Sequence, residues 1–217
     1  YQQFSTPAEY AYVVAWVANL QPGDSILEPS AGTGTLATFA ARAIGASDVH
    51  VNEIAARRLT ILRALGFEHV GTEDAMYLHG IRTQQRQPNP TVVLMNPPFS
   101  SAVAQGRHNP HVGARHVDEA LRLLAPGGRL VAIVGKGMAL DAPTFSPWWA
   151  RVLAQYTVRA NILVDGSVYR KQGTTFDTRI LVIDKGAATT PGSIVTGDVQ
   201  TLEQLVGMLE EVRHVRT

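Results

Sequence analysis

Apolar residues along this chain fall into two alternating rhythms. Short runs of near-continuous or alternating hydrophobicity predict strands: "SILEPS" (25–30), "SDVHVNEI" (47–54), "HVGTEDA" (69–75), "TVVLMN" (91–96) and "RLVAIVG" (129–135). Between them the apolar positions recur three and four apart, which predicts helices. "GTLATFAARAIG" (34–45) is closed by Gly45, "AARRLTILRALG" (55–66) by Gly66, and "RHVDEALRLLAPGG" (115–128) by Pro126 and two glycines. Further helices are expected at 8–20, stopped by Pro22 and Gly23, at 147–156 and at 201–216. "VRANILVD" (158–165) and "TRILVIDK" (178–185) predict an antiparallel terminal hairpin joined by "GSVYRKQGTTFD" (166–177). Residues 100–114, rich in Gly, Ser, His and Asn, read as a loop. Strands alternating with helices imply an α/β fold: a doubly wound, mostly parallel sheet of seven strands.

Composition narrows the chemistry. The chain is 217 residues long and 45% hydrophobic, enough for one domain with a substantial core. Lys plus Arg (19) nearly balances Asp plus Glu (18), so the protein is not basic all over, and only a local basic patch stays open. There is no cysteine. That removes disulfides, thiolate metal sites and any cysteine nucleophile, including the one that methylation of cytosine C5 needs. No apolar run approaches the roughly 20 residues of a membrane span. No signal peptide is visible, so a cytoplasmic location without membrane partners is expected. The first residue is Tyr1 rather than Met, which suggests a mature or trimmed fragment or a domain cut from a longer chain.

The stretch "LEPSAGTGTL" (27–36) sets Glu28, Gly32 and Gly34 between a strand and a helix. Glycines there allow a tight turn and close approach of a ligand to the backbone. Glu28, at the strand's carboxyl end, repels a pyrophosphate but suits a ligand with an ammonium and a sulfonium. That favours S-adenosyl-L-methionine over NAD. No Gly-Lys-Ser/Thr follows, against a nucleotide hydrolase loop. About twenty residues on, Glu53 ends the second strand, where a carboxylate can accept both ribose hydroxyls. Ile54 then lies against the adenine face. Asp74 is placed to accept the adenine amine, with the Ala75 amide beside it.

"VVLMNPPFS" (92–100) runs a buried strand into Asn96, two prolines and an aromatic. Prolines fix φ and remove donors, so the corner presents chiefly acceptors, the Asn96 side-chain carbonyl and the Pro97 backbone carbonyl. An aromatic amine such as adenine N6 is a poor nucleophile because its lone pair is delocalised. Two acceptors on its hydrogens localise that pair and stabilise the charge developing on nitrogen. Phe99 offers a stacking face worth roughly 1–3 kcal/mol.

"NPPF" together with "LEPSAGTG" resembles amino-group methyltransferases, above all the N6-adenine DNA methyltransferases. "YQQFSTP" (1–7) resembles the additional cofactor motif of their γ class, and the motif order matches that class. A narrower likeness, through "QQFSTP" and "GTTFDTRILVIDK", is to methyltransferase domains fused to helicase-like regions in phage and plasmid modification or anti-restriction proteins. The resemblance covers roughly residues 1–185. It implies the class I S-adenosylmethionine-dependent (Rossmann-like) methyltransferase fold, with 1–217 as a single catalytic domain. By the same resemblance, Phe4, Ser5 and Thr6 meet the amino-acid end of the cofactor, and Glu28, Ala31, Gly32 and Gly34 form its floor. Glu53 and Ile54 hold the ribose and adenine, Asp74 and Ala75 the adenine edge. Asn96, Pro97, Pro98 and Phe99 form the catalytic corner, with Asn96 also bordering the cofactor. An aromatic between the last two strands stacks on the flipped base. Tyr169 is preferred over Phe176 because Arg170 and Lys171 adjoin it and suit phosphates.

Such enzymes usually carry a separate target-recognition domain, for which about 30 residues after Lys185 are too few. A fused or associated recognition or helicase domain is therefore an expected partner. Residues 100–116 supply Arg107, His108, His111, Arg115 and His116, candidates for phosphate or base contacts; their spacing does not fit a metal site. Trp148 and Trp149 read as packing. The reaction expected is methyl transfer to adenine N6 in DNA with base flipping. Adenine or guanine amines in RNA and protein glutamine remain open, although by the same resemblance Phe99 and Asn96 favour adenine, since the glutamine enzymes usually carry Tyr and the N4-cytosine enzymes Ser at these positions. A cofactor-binding module inactive without its partner domain also remains open.

Overall fold

In a computed structural model, residues 6–99, 101–103, 107–167 and 176–216 are described, with backbone alone at 101–103 and 107–108. The strongest apolar runs became the central strands. β1 (Ile26–Glu28), β4 (Val92–Met95) and β7 (Arg129–Gly135) lie side by side, with β2 (Val49–Asn52) and β3 (His69–Gly71) extending the parallel sheet outward. β9 (Thr178–Asp184) inserts antiparallel between β7 and β8 (Thr157–Val164). This is the expected hairpin. The sheet has eight strands rather than seven, because β10 (Val195–Val199) adds in parallel outside β8, giving the order β10-β8-β9-β7-β4-β1-β2-β3.

Helices cover both faces. Alternate residues along β7 divide between two cores: Val131 and Ile133 on one side, Leu130, Ala132 and Val134 on the other. The first core is closed by α1 (Ala8–Val17), α2 (Thr35–Ile44), α3 (Ala56–Ala64) and α7 (Leu202–His214), through residues such as Val14, Leu36, Leu62 and Leu209. The second is closed by α4 (Leu78–Gln84), α5 (Val112–Leu123) and α6 (Ser146–Gln155), through Leu78, Leu121 and Val152. Trp149 is buried there and donates to the Ala139 carbonyl, while Trp148 donates to Asp118. Both tryptophans are packing residues, as their positions suggested. No helix among the described residues is long and apolar enough to cross a membrane.

The loop reading of residues 100–114 is corrected. β5 (Ser101–Val103) and β6 (Arg107–Asn109) pair as a separate antiparallel ribbon, and α5 begins at Val112. Arg115 and His116 stand on the first turns of this helix, which was expected from Arg115 on. The polar composition that suggested a loop belongs to a ribbon outside the main sheet, where no core face demands apolar alternation. The third strand is also shorter than expected, because Asp74 caps a 3-10 turn, Ala75–Tyr77, by accepting the Met76 N–H at 2.9 Å.

Candidate active site

All the parallel strands point their carboxyl ends to one edge, and a cavity of about 1100 Å³ opens there. Small-molecule sites occupy about 300–1,000 Å³, so this one has room for a cofactor and a second guest. The cavity brings together Thr6, Glu28, Ala31, Gly32, Glu53, Ile54, Asp74, Ala75, Asn96, Pro97, Pro98 and Phe99, residues the sequence assigned to one site.

Its floor is built by backbone chemistry. Gly34 adopts φ +79°, a left-handed conformation, and caps α2. The conformation favours glycine, and a Cβ there would lie 2.7 Å from Leu62 Cδ2, so that side chain would have to shift. Gly32 has φ +58° and turns its N–H onto Glu53 Oε2 at 2.8 Å. Glu53 Oε1 accepts the Ala55 N–H, also at 2.8 Å, and Arg58 Nη1 lies 3.8 Å from Oε2. The carboxylate is thus fixed across the glycine turn, and each oxygen keeps a lone pair for a ligand.

Glu28 is buried and accepts the Ala37 N–H at 2.8 Å. Burial pushes its carboxyl well above the usual range; the bond from Ala37 opposes this, and the nearby Glu53 charge adds to it. A cationic ligand group beside Glu28 would relieve that desolvation.

The Asn96 amide is oriented by its neighbour. Its Nδ2 donates to Thr6 Oγ1 at 3.0 Å, and its carbonyl oxygen has no hydrogen-bond partner among the described residues. Phe99 rests on the backbone of Gly135, where an added Cβ would lie 3.4 Å from Phe99 Cβ.

Several candidates fall elsewhere. Phe4, Ser5, Tyr169, Arg170 and Lys171 lie outside the described residues, as do the side chains of Arg107 and His108. Arg115 borders the cavity, whereas His111 packs edge-on against Phe145 at 5.1 Å. Phe176, second choice to Tyr169, lines the cavity and is largely exposed. Among the described residues no cluster of three or more His, Asp or Glu is arranged for a metal ion.

Sequence reasoning missed Asn52, Arg58, Tyr77 and Lys136. Asn52 ties three strand ends together: Nδ2 donates to the carbonyls of Pro29 (3.0 Å) and Glu73 (2.8 Å), and Oδ1 accepts the Glu73 N–H (2.9 Å). Only its place beside Glu53 could have drawn notice. Tyr77 is 68% exposed and Ile54 63%, both at the cavity wall. An apolar residue at a strand's polar end was a signal for Ile54; Tyr77 sits on a turn with no such pattern.

The profile of the methyltransferase small domain family matches residues 15–145. A tRNA (guanine(6)-N2)-methyltransferase of Thermus thermophilus is 27% identical over 157 residues, covering 68% of this chain and 46% of that protein. Among solved structures, the methyltransferase subunit of a type I restriction-modification system from Streptococcus thermophilus superposes with a TM-score of 0.74 at 15% identity, covering 96% of this chain and 53% of that one. The M protein of the type I restriction enzyme EcoKI gives 0.70 at 16% identity, covering 92% and 49%. The chain therefore spans about half the length of these relatives.

Proposed function

Because the chain belongs to the methyltransferase small domain family, we propose that it transfers a methyl group to the N6 amine of adenine in DNA, with the base turned out into the cavity. Its fold is that of the class I methyltransferases, and S-adenosylmethionine is the cofactor. The residues present suit that cofactor. Glu28 and Thr6 take its amino-acid end, Glu53 the ribose, Ile54 an adenine face, and Asp74 with Ala75 the adenine edge. When bound, the cofactor supplies an electrophilic methyl carbon on sulfur and departs as the thioether.

The protein's own part is to shape the nucleophile. The Asn96 and Pro97 carbonyls accept the two amine hydrogens, drawing the nitrogen lone pair out of the ring. As the N–C bond forms, they share the growing positive charge until a proton is lost. Phe99, braced on Gly135, stacks on the base. The observation that supports this reading is the Asn96–Thr6 hydrogen bond, which engages the amide nitrogen while the carbonyl oxygen has no partner among the described residues.

DNA adenine is supported by the Asn-Pro-Pro-Phe sequence and by the likeness to restriction-modification subunits. The relatives' greater length supports a recognition domain or subunit, fused or associated, as partner. A second reading, an exocyclic amine in RNA, rests on the tRNA guanine methyltransferase similarity. The test incubates the protein with methyl-labelled S-adenosylmethionine and, in parallel, unmethylated genomic DNA and total RNA, followed by nucleoside mass spectrometry. N6-methyladenine in DNA is the expected product. Label confined to RNA moves the assignment to the second reading. No label in either, with cofactor bound, means that turnover needs the partner.

A further inference from the structure

His116 stands on the same cavity wall, and none of the steps above employs it. The residue is only 7% exposed and lines the cavity. Among the described residues its imidazole makes no hydrogen bond or ion pair, yet its nitrogens are not sealed within the protein. A buried polar group without a partner is costly unless something else satisfies it.

Its surroundings indicate what that partner is. α5 packs against the turn Ala75–Tyr77, which Asp74 caps. The Asp74 charge acts on His116, but no hydrogen bond or ion pair joins them. Asp74 Oδ1 is occupied by the Met76 N–H, and its Oδ2 has no partner among the described residues. Burial holds the imidazole below its ordinary pKa against the pull of Asp74, so it is neutral at pH 7, with one N–H donor and one acceptor nitrogen. An open carboxylate oxygen and an open imidazole N–H on one wall complement an aminopurine edge, where an amine donor adjoins a ring-nitrogen acceptor.

We propose that His116 helps select the cofactor's adenine, donating a hydrogen bond to a ring nitrogen beside the amine that Asp74 accepts. This rests on the reading of the cavity as the S-adenosylmethionine site. Two ring nitrogens flank that amine, N1 and N7. The Ala75 amide serves one, and His116 serves the other.

The test is a cycle between protein and ligand atoms, read by calorimetry on the full chain. The ligands are S-adenosylhomocysteine and its 1-deaza and 7-deaza analogues, each with a ring nitrogen replaced by CH. His116→Ala is expected to weaken S-adenosylhomocysteine about three- to tenfold, the range of one neutral hydrogen bond. Wild type should lose affinity with both analogues, and on the one that lacks the nitrogen His116 serves, His116→Ala should cost nothing more. His116→Gln, which keeps an N–H donor, should recover part of the loss. If His116→Ala does not fold, the glutamine variant and the wild-type analogue series carry the test. Losses that multiply on both analogues, or unchanged affinity in the variant, overturn the proposal. Failure of the cofactor-site reading looks different: S-adenosylhomocysteine would bind equally well to Glu53→Ala.

Discussion

A carboxamide offers a donor at one end and an acceptor at the other, and at Asn96 the two are divided. Thr6 takes one N–H of the amide, and the carbonyl oxygen has no partner among the described residues. Asn96→Ala should therefore lower the methyl-transfer rate by two to three powers of ten, as for one lost transition-state dipole. The cofactor dissociation constant should move by no more than about threefold. Equal losses in both would contradict the role. Thr6→Val releases the amide to rotate without removing it, so a smaller loss, about tenfold in rate, is expected from single-turnover kinetics. Glu28 makes a prediction about pH. Its folded pKa is raised, so the carboxyl's contribution to stability is intact below the ordinary carboxylate value of about 4.5. It is lost as pH rises through the folded value. Without cofactor, Glu28→Gln should be less sensitive to rising pH than wild type in parallel thermal melts. The same variant should bind S-adenosylmethionine more weakly. Identical melting-temperature profiles for the two proteins would contradict the burial argument.

Among the elements, the glycine turn depends on a latch that it does not contain. Asn52 closes β2 and joins the ends of β1 and β3, and its own carbonyl accepts the Ala31 N–H at 2.8 Å. Gly71 makes room for it, since a Cβ there would meet Asn52 Oδ1 at 2.7 Å. Asn52→Ala leaves the buried Pro29 carbonyl and the half-buried backbone groups of Glu73 unpaired. A loss of about 2–3 kcal/mol in denaturant unfolding is expected, together with weaker cofactor binding. A stability loss with unchanged binding would show that the latch does not shape the floor. Glu53 was legible because acidic residues at that distance from a glycine turn have a recurrent use. Asn52, one position earlier, was not, because its partners lie 21 and 23 residues away and only the register β1-β2-β3 brings them together. The same limit explains the strands. β4 and β7 announced themselves through unbroken apolar runs buried on both faces. β10 did not, because it is a half-exposed edge strand interrupted by Gly197. α4 holds Gly80 and spans under two turns, too short for a helical period to emerge.

Taken as a whole, the molecule places its chemistry and one of its strongest anchors at opposite ends of the sheet. Arg129 begins β7 and is 0% exposed, whereas Gly135 ends the strand at the cavity, about 20 Å away at the rise of a strand. Arg129 forks onto Asp184, with Nε to Oδ1 at 2.7 Å and Nη2 to Oδ2 at 3.0 Å. Its Nη1 donates to the carbonyls of Val17 and Val212, at the ends of α1 and α7, where helix dipoles favour a cation. One side chain thus holds two helices against two strands. Arg129→Met fills most of the volume but leaves those carbonyls unpaired, while Asp184 keeps Arg159 at 2.8 Å. A loss of about 3 kcal/mol is expected, lowering the melting temperature by roughly 6–12 °C. Cofactor affinity should stay within about twofold of wild type, because sites this far apart with no shared partner behave additively. Saturating S-adenosylhomocysteine at about 100 times its dissociation constant should then stabilise Arg129→Met by the same roughly 2.7 kcal/mol as wild type. Glu53→Ala, which also frees the Gly32 and Ala55 N–H groups, should gain little with ligand whatever its melting temperature alone. If instead Arg129→Met loses the ligand-induced gain, the two ends of the sheet are coupled, and the helix clamp belongs to the binding machinery as well as to the fold.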